Sequence, residues 1–211
     1  MSFSLSPARV GLVCFDIGGV IVRLCSTWAD ACGRAGVPLR PISRWEELES
    51  VVVRYHAGAL TTALFAHELA SLAEQRYTEP EVLAIHRGWL GEAYEGVDEL
   101  VAEFEAAGVA TAVLSNTNEE HWTALRELAA VRRIRHHVLS HEIHALKPAP
   151  EAFVAVERVT GVEPKRIVFF DDSPVNVAAA SARGWKAFAV RPGENNAAQM
   201  REALASLASG A

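Results

Sequence analysis

Three short, uninterrupted hydrophobic runs, each closed by small polar or acidic residues, limit most narrowly what this chain can fold into. They are Val10-Gly-Leu-Val-Cys-Phe15 ahead of Asp16, Val109-Ala-Thr-Ala-Val-Leu114 ahead of Ser115-Asn116, and Ile167-Val-Phe-Phe170 ahead of Asp171-Asp172. Runs this apolar and this short fit strands covered on both faces, as a parallel sheet requires. Lys186–Val190 is a weaker run of the same kind, and His137–Ser140 is a further candidate. Helical patterns lie between them. Val97, Leu100, Val101 and Phe104 recur at i, i+3, i+4 and i+7 with Gly108 as a stop, a helix is expected over 151–159, and Met200, Leu204 and Leu207 mark a closing amphipathic helix. Alternation of strand and helix implies right-handed crossovers and a doubly wound, Rossmann-like α/β core.

The length of 211 residues falls between one domain and two at about 150 residues per domain. The excess sits between the first two runs. Residues 24–94 read as several helices, one with the stripe Leu64, Phe65, Leu69 and Leu72, and show no convincing strand. The expected organisation is a core from 1–23 and 95–211 with a small inserted helical cap at 24–94. Half the residues are hydrophobic and 22% are charged, which excludes disorder. The net charge of −6 offers no basic footprint for nucleic acid or an anionic membrane surface. No stretch approaches the ~20 apolar residues of a membrane span. The three cysteines, Cys14, Cys25 and Cys32, are odd in number, and the first apolar run is too short for a secretory leader. Reduced thiols and a cytoplasmic protein are expected, with Cys25 and Cys32 as small buried apolar residues.

In open α/β sheets ligands bind beyond the carboxyl ends of the strands. Three strands would therefore deliver Asp16, Ser115, Asn116, Asp171 and Asp172 to one rim, and Lys147 in Leu146-Lys-Pro148 approaches it from a loop. Crowded carboxylates need a cation or raised pKa values. A hard divalent ion such as Mg2+ suits oxygen ligands of this kind. Such a rim also suits a phosphoryl group, whose oxygens need cationic and hydrogen-bonding partners during in-line transfer, with Asp16 as a nucleophile able to form an aspartyl-phosphate.

Phe15-Asp-Ile-Gly-Gly-Val-Ile21, Leu114-Ser-Asn-Thr-Asn118, Leu146-Lys-Pro148 and Phe169-Phe-Asp-Asp-Ser-Pro-Val-Asn176 resemble, in order, the four motifs of the haloacid dehalogenase (HAD) superfamily of phosphohydrolases. The match runs from about Val10 to Val190, with the insertion where that family carries its cap. The motifs resemble the branch containing α-D-glucose-1-phosphate phosphatases. The resemblance implies Asp16 as nucleophile, Ser115 and the Asn116 backbone as phosphoryl ligands, and Lys147 as the charge between them. It implies Mg2+ held by Asp16, the Gly18 carbonyl, Asp172 and, directly or through water, Asp171, with Asn176 in support. A small phosphorylated metabolite, a sugar phosphate among the candidates, is the expected partner, for a monomer or homodimer.

Gly18 departs from the family, which usually carries an acid-base Asp there. General acid-base catalysis is typically worth ~10²–10⁴ in rate. Two alternatives stand beside the phosphatase: a metal-independent 2-haloacid dehalogenase, against which Asp171-Asp172 and Ile17-Gly18 argue, and, because of Gly18, a catalytically impaired phosphate-binding or regulatory protein. His144 and Glu142 are candidates to replace the missing acid, against the plainer reading of His144 as a solvated loop residue. His136, His137, His141 and His144 lack a cysteine partner and a finger spacing, so no zinc site is expected there. Trp28, Trp45 and Trp89 are expected to be core.

Overall fold

The computed structural model describes residues 10–209. In chain order the elements are β1 (Leu12–Phe15), β2 (Val22–Leu24), α1 (Trp28–Ala35), α2 (Trp45–His56), α3 (Thr62–Leu72), α4 (Glu79–Gly88), β3 (Leu90–Ala93), α5 (Val97–Ala106), β4 (Ala110–Ser115), α6 (Glu119–Leu125), α7 (Ala129–Arg133), β5 (His136–Leu139), α8 (Ser140–Ile143), α9 (Pro150–Thr160), β6 (Ile167–Asp171), α10 (Pro174–Ala182), β7 (Lys186–Ala189) and α11 (Asn196–Ser209). Five strands form one parallel sheet in the order β5-β4-β1-β6-β7. This is the doubly wound order in which the chain reverses direction across the sheet at its central strand.

The three strong apolar runs are the three central strands, and every residue of β1 and β6 is buried. The weaker runs are the edges, where β7 is half-exposed. Alternate side chains fill two layers. Val13, Phe15, Val113, Val168 and Phe170 pack under α5, α7 and α11, while Leu12, Cys14, Leu114, Ile167 and Phe169 pack under α9 and Trp185. The expected helix patterns hold: α5 buries Val97, Leu100, Val101 and Phe104, and α9 starts at Pro150 and ends on Gly161 in the left-handed conformation.

Helices α1 to α4 form a layer with its own hydrophobic cluster, centred on Tyr55, Phe65, Tyr77 and Ile85. Each of α1, α3 and α4 starts on a threonine whose hydroxyl caps the first turn. The expectation of no strand here needs correction: β3 pairs antiparallel with β2 at the base of the helical layer. Leu90-Gly-Glu-Ala93 lacks β-branched residues and alternation, so its strand comes from pairing and not from local preference. Among the described residues no helix is long and apolar enough to cross a membrane.

Candidate active site

The rim is assembled by strand ends. Asp16 follows β1, Ser115 ends β4 and Asp171 ends β6. Lys147 reaches them from the loop between α8 and α9, with a side chain only 1% exposed. Its Nζ lies 2.9 Å from Asp16 Oδ1 and donates to Asp171 Oδ2 at 2.6 Å. Asn116 fixes this loop, because its side-chain amide donates to the Lys147 carbonyl at 3.0 Å and accepts from the Lys147 N–H at 2.8 Å. Asn116 thus acts through its side chain to hold the Lys147 loop.

Asp171, fully buried, is saturated. Its Oδ1 accepts from the Ser173 N–H at 2.8 Å, and Asn176 donates to both oxygens at 3.0 and 3.1 Å. Asn176 is thus a support for Asp171. Asp172 is half-buried and comes against the turn after Asp16, where a Cβ on Gly19 would sit 2.2 Å from its Oδ2. Gly19 has φ +71°, a conformation for which a residue without Cβ is suited. Asn196, fully buried at the start of α11, donates to the carbonyls of Gly19 and Val20 and so holds this turn from a distant part of the chain.

Ligand oxygens of Asp16, Asp171 and Asp172 lie within 4.8 Å of one another. Burial pushes the Asp16 carboxyl up to about 6, with Lys147 opposing and Asp171 adding to the rise. Burial and Asp171 also raise Asp172. Burial alone would lower the Lys147 ammonium, but Asp16 and Asp171 outweigh it and the group is raised. The rim therefore holds more negative charge than one lysine balances, in a set of hard oxygen donors. That arrangement fits a divalent cation such as Mg2+.

A cavity of about 750 Å³ opens on Ile17, Gly18, Ser115, Asn116 and Thr117 and extends up into the helical layer. Trp28, Trp45 and Trp89 all line it, so these side chains are not simply core as expected. Cys32 is buried, whereas Cys25 is half-buried with its thiol donating to the Gly88 carbonyl. His144 and Glu142 are absent from the cavity wall; His144 Nδ1 lies 3.1 Å from the Ala57 carbonyl, against the α2–α3 turn.

Three histidines that carried no sequence signal meet instead in the wall: His56 on α2, His86 on α4 and His121 on α6, with ring nitrogens within 4.8 Å. His136, His137, His141 and His144 form no such group. The His86 and His121 rings stack at 3.9 Å with planes 9° apart. An ion about 2 Å from a nitrogen must lie near its ring plane, so two stacked rings cannot share one, and the trio is not a metal centre in this arrangement. His121 Nε2 instead donates to the His86 carbonyl at 2.7 Å, joining the helical layer to the core. Ser140 makes a second join: its hydroxyl accepts from the Thr117 N–H and lies 2.6 Å from the His56 carbonyl.

The family model described as haloacid dehalogenase-like hydrolase matches residues 10–184. The chain belongs to the haloacid dehalogenase-like hydrolases. Among the relatives of this HAD enzyme, an N-acetylmuramic acid 6-phosphate phosphatase from Pseudomonas aeruginosa is 27% identical over 88% of this chain and 83% of its own. A phosphoglycolate phosphatase from the same species is 29% identical over 90% of this chain and 73% of its own. The fold is shared with a HAD-like family hydrolase from Porphyromonas gingivalis (TM-score 0.79, 21% identity, 93% of this chain and 98% of that one). It is also shared with a HAD family enzyme from Bacteroides thetaiotaomicron (TM-score 0.76, 22% identity, 88% of this chain and 96% of that one).

Proposed function

We propose that this HAD hydrolase is a Mg2+-dependent phosphatase that splits a small phosphorylated metabolite through an aspartyl-phosphate on Asp16, with residues 24–94 serving as a cap over a core made of 1–23 and 95–211. The observation that carries the reading is the buried Asp16–Lys147–Asp171 constellation beside Asp172, at the ends of the central strands. The curated relatives named as phosphatases support it, as does the Bacteroides thetaiotaomicron enzyme's complex with magnesium and inorganic phosphate.

The Ile17 N–H at 2.7 Å and Lys147 Nζ both engage Oδ1 of Asp16, which leaves Oδ2 to form the bond to phosphorus. Attack breaks the P–O bond to the alcohol, and water then hydrolyses the acyl phosphate. Ser115 and Asn116 cradle the transferring oxygens, and Lys147 balances charge between nucleophile and phosphoryl group. Asp16, the Gly18 carbonyl and Asp172 would hold Mg2+, with Asp171 in reach through water, since its own oxygens are taken by Lys147, Ser173 and Asn176. The ion would neutralise the phosphoryl oxygens. Closing the cap would keep bulk water from the intermediate until the alcohol has left.

No acid stands at Gly18, so the leaving oxygen departs with little protonation, and rates should fall steeply as the alcohol becomes more basic. A Cβ on Gly18 would meet Leu24 Cδ1 at 2.8 Å, the end of an exposed side chain free to turn aside. Gly18→Asp should therefore be accommodated and should speed esters with poor leaving groups; no gain there would refute this account of the missing acid. Phosphatase assays with Mg2+ against EDTA test the function itself. Activity should require the ion and vanish in Asp16→Asn, whereas Mg2+-dependent turnover surviving in that variant would remove Asp16 as nucleophile. The setting we infer is cytoplasmic.

A further inference from the structure

The cavity above the rim differs from the rim in one respect that bears on substrate. Its wall is apolar, with Leu24, Trp28, Leu39, Trp45, Phe65 and Trp89 from the cap facing Ser115 and Asn116 of the core. Among the described residues no lysine or arginine lines it, and the single carboxylate in the wall is Glu49. Its volume of about 750 Å³ is that of a site for an organic molecule of moderate size. Leu24, Leu39 and Trp45 are 48%, 62% and 49% exposed, large apolar side chains that the protein itself does not cover.

We propose that the alcohol half of the substrate is uncharged and predominantly apolar, a cyclic, aromatic or bulky aliphatic alcohol, and that esters carrying a carboxylate are discriminated against. The proposal rests on the phosphatase reading above and names the substrate class of that same site. A carboxylate placed in this cavity would give up its hydration to apolar walls, with Glu49 repelling it and no cation to pair with. The histidines do not supply one. Burial lowers His56 to about 4, and it lowers His86 and His121 as well, so all three are neutral near pH 7. His56 Nε2 and His86 Nε2 are shut off from solvent, so these nitrogens add no exposed polar group to the wall.

The test uses the Mg2+-loaded enzyme and aryl phosphates whose leaving phenols are of similar basicity, phenyl phosphate and 3-carboxyphenyl phosphate, with p-nitrophenyl phosphate as a reactive reference. We expect kcat/KM for phenyl phosphate to exceed that for the 3-carboxyphenyl ester at least tenfold. Trp45→Ala and Leu39→Lys, both at exposed positions with little effect on Tm, should lower this ratio, the lysine more strongly because it brings a cation to the wall. Equal or better hydrolysis of the 3-carboxyphenyl ester overturns the proposal while leaving the phosphatase standing. Failure to hydrolyse any of the three, the reactive reference included, overturns the phosphatase reading and this proposal with it.

Discussion

At the rim of the sheet, Asp16, Lys147 and Asp171 form a buried ionic cluster in which each charge is held by at least two partners. Beside it, a cavity that adjoins the rim through Ile17, Gly18, Ser115 and Asn116 is walled from the cap by tryptophans, leucines and uncharged imidazoles. The rim is rigid because unpaired buried charge is costly, so its members constrain one another. The roof is held by dispersed hydrophobic contact, and several of its apolar groups remain exposed. Chemistry and selectivity are thus carried by different physical devices, and each can be perturbed separately.

The sharpest way to break the rim is Lys147→Met. It leaves Asp16 and Asp171 buried without their counter-charge, so stability should fall by about 3–5 kcal/mol in urea unfolding and kcat by about 10²–10³. Unchanged stability would mean that the cluster is not charge-paired as described.

The junction of roof and core should weaken in acid. His56, His86 and His121 have folded-state pKa values below their unfolded values, so their stabilising contribution is complete above about pH 6.5 and is lost as pH falls. For His56 the loss runs from about pH 6.5 to about 4 and amounts to about 3 kcal/mol. Comparing wild type with His56→Gln across this range isolates that contribution. Parallel pH profiles for the two proteins would contradict it.

Gly19→Ala should act more locally. Its positive φ and the 2.2 Å approach of a Cβ to Asp172 Oδ2 predict about 1–2 kcal/mol of destabilisation. They also predict about a tenfold loss of apparent Mg2+ affinity, read from activity against metal concentration. At the small end, Arg133 pairs with Asp98 and Glu105 on the surface, where each side chain is more than 40% exposed. Arg133→Ala should cost less than about 0.5 kcal/mol and leave turnover unchanged; a larger effect would show that the core's stability is not concentrated at the sheet.

The contrast also explains what the sequence made legible. Asp16, Ser115, Asn116, Asp171 and Asp172 each adjoin an apolar run, so knowing the strand places the side chain. Lys147 is legible as a loop lysine beside the rim and Asn176 only through the resemblance; Lys147 meets Asp16 and Asp171, and Asn176 meets Asp171. The roof resisted reading because its members lie on separate helices and loops, and an apolar residue in a core and one facing a cavity look alike in sequence. Trp45 reads as a core residue in sequence for that reason. His56, His86 and His121 lie dozens of residues apart and match no ligand spacing, while Ser140 and Asn196 act through backbone carbonyls that have no sequence signature. Strand β3 was hidden because its pairing with β2, rather than its composition, makes it a strand.

The central claim is covalent chemistry on Asp16, and the glycine at position 18 makes it directly accessible: without an acid-base residue to activate water, the intermediate should persist. Wild-type enzyme mixed with Mg2+ and p-nitrophenyl phosphate, quenched in acid and digested, should yield a peptide containing Asp16 that carries one phosphoryl group and loses it to hydroxylamine. Turnover without that adduct, or a phosphoryl group found on another residue, would contradict the account.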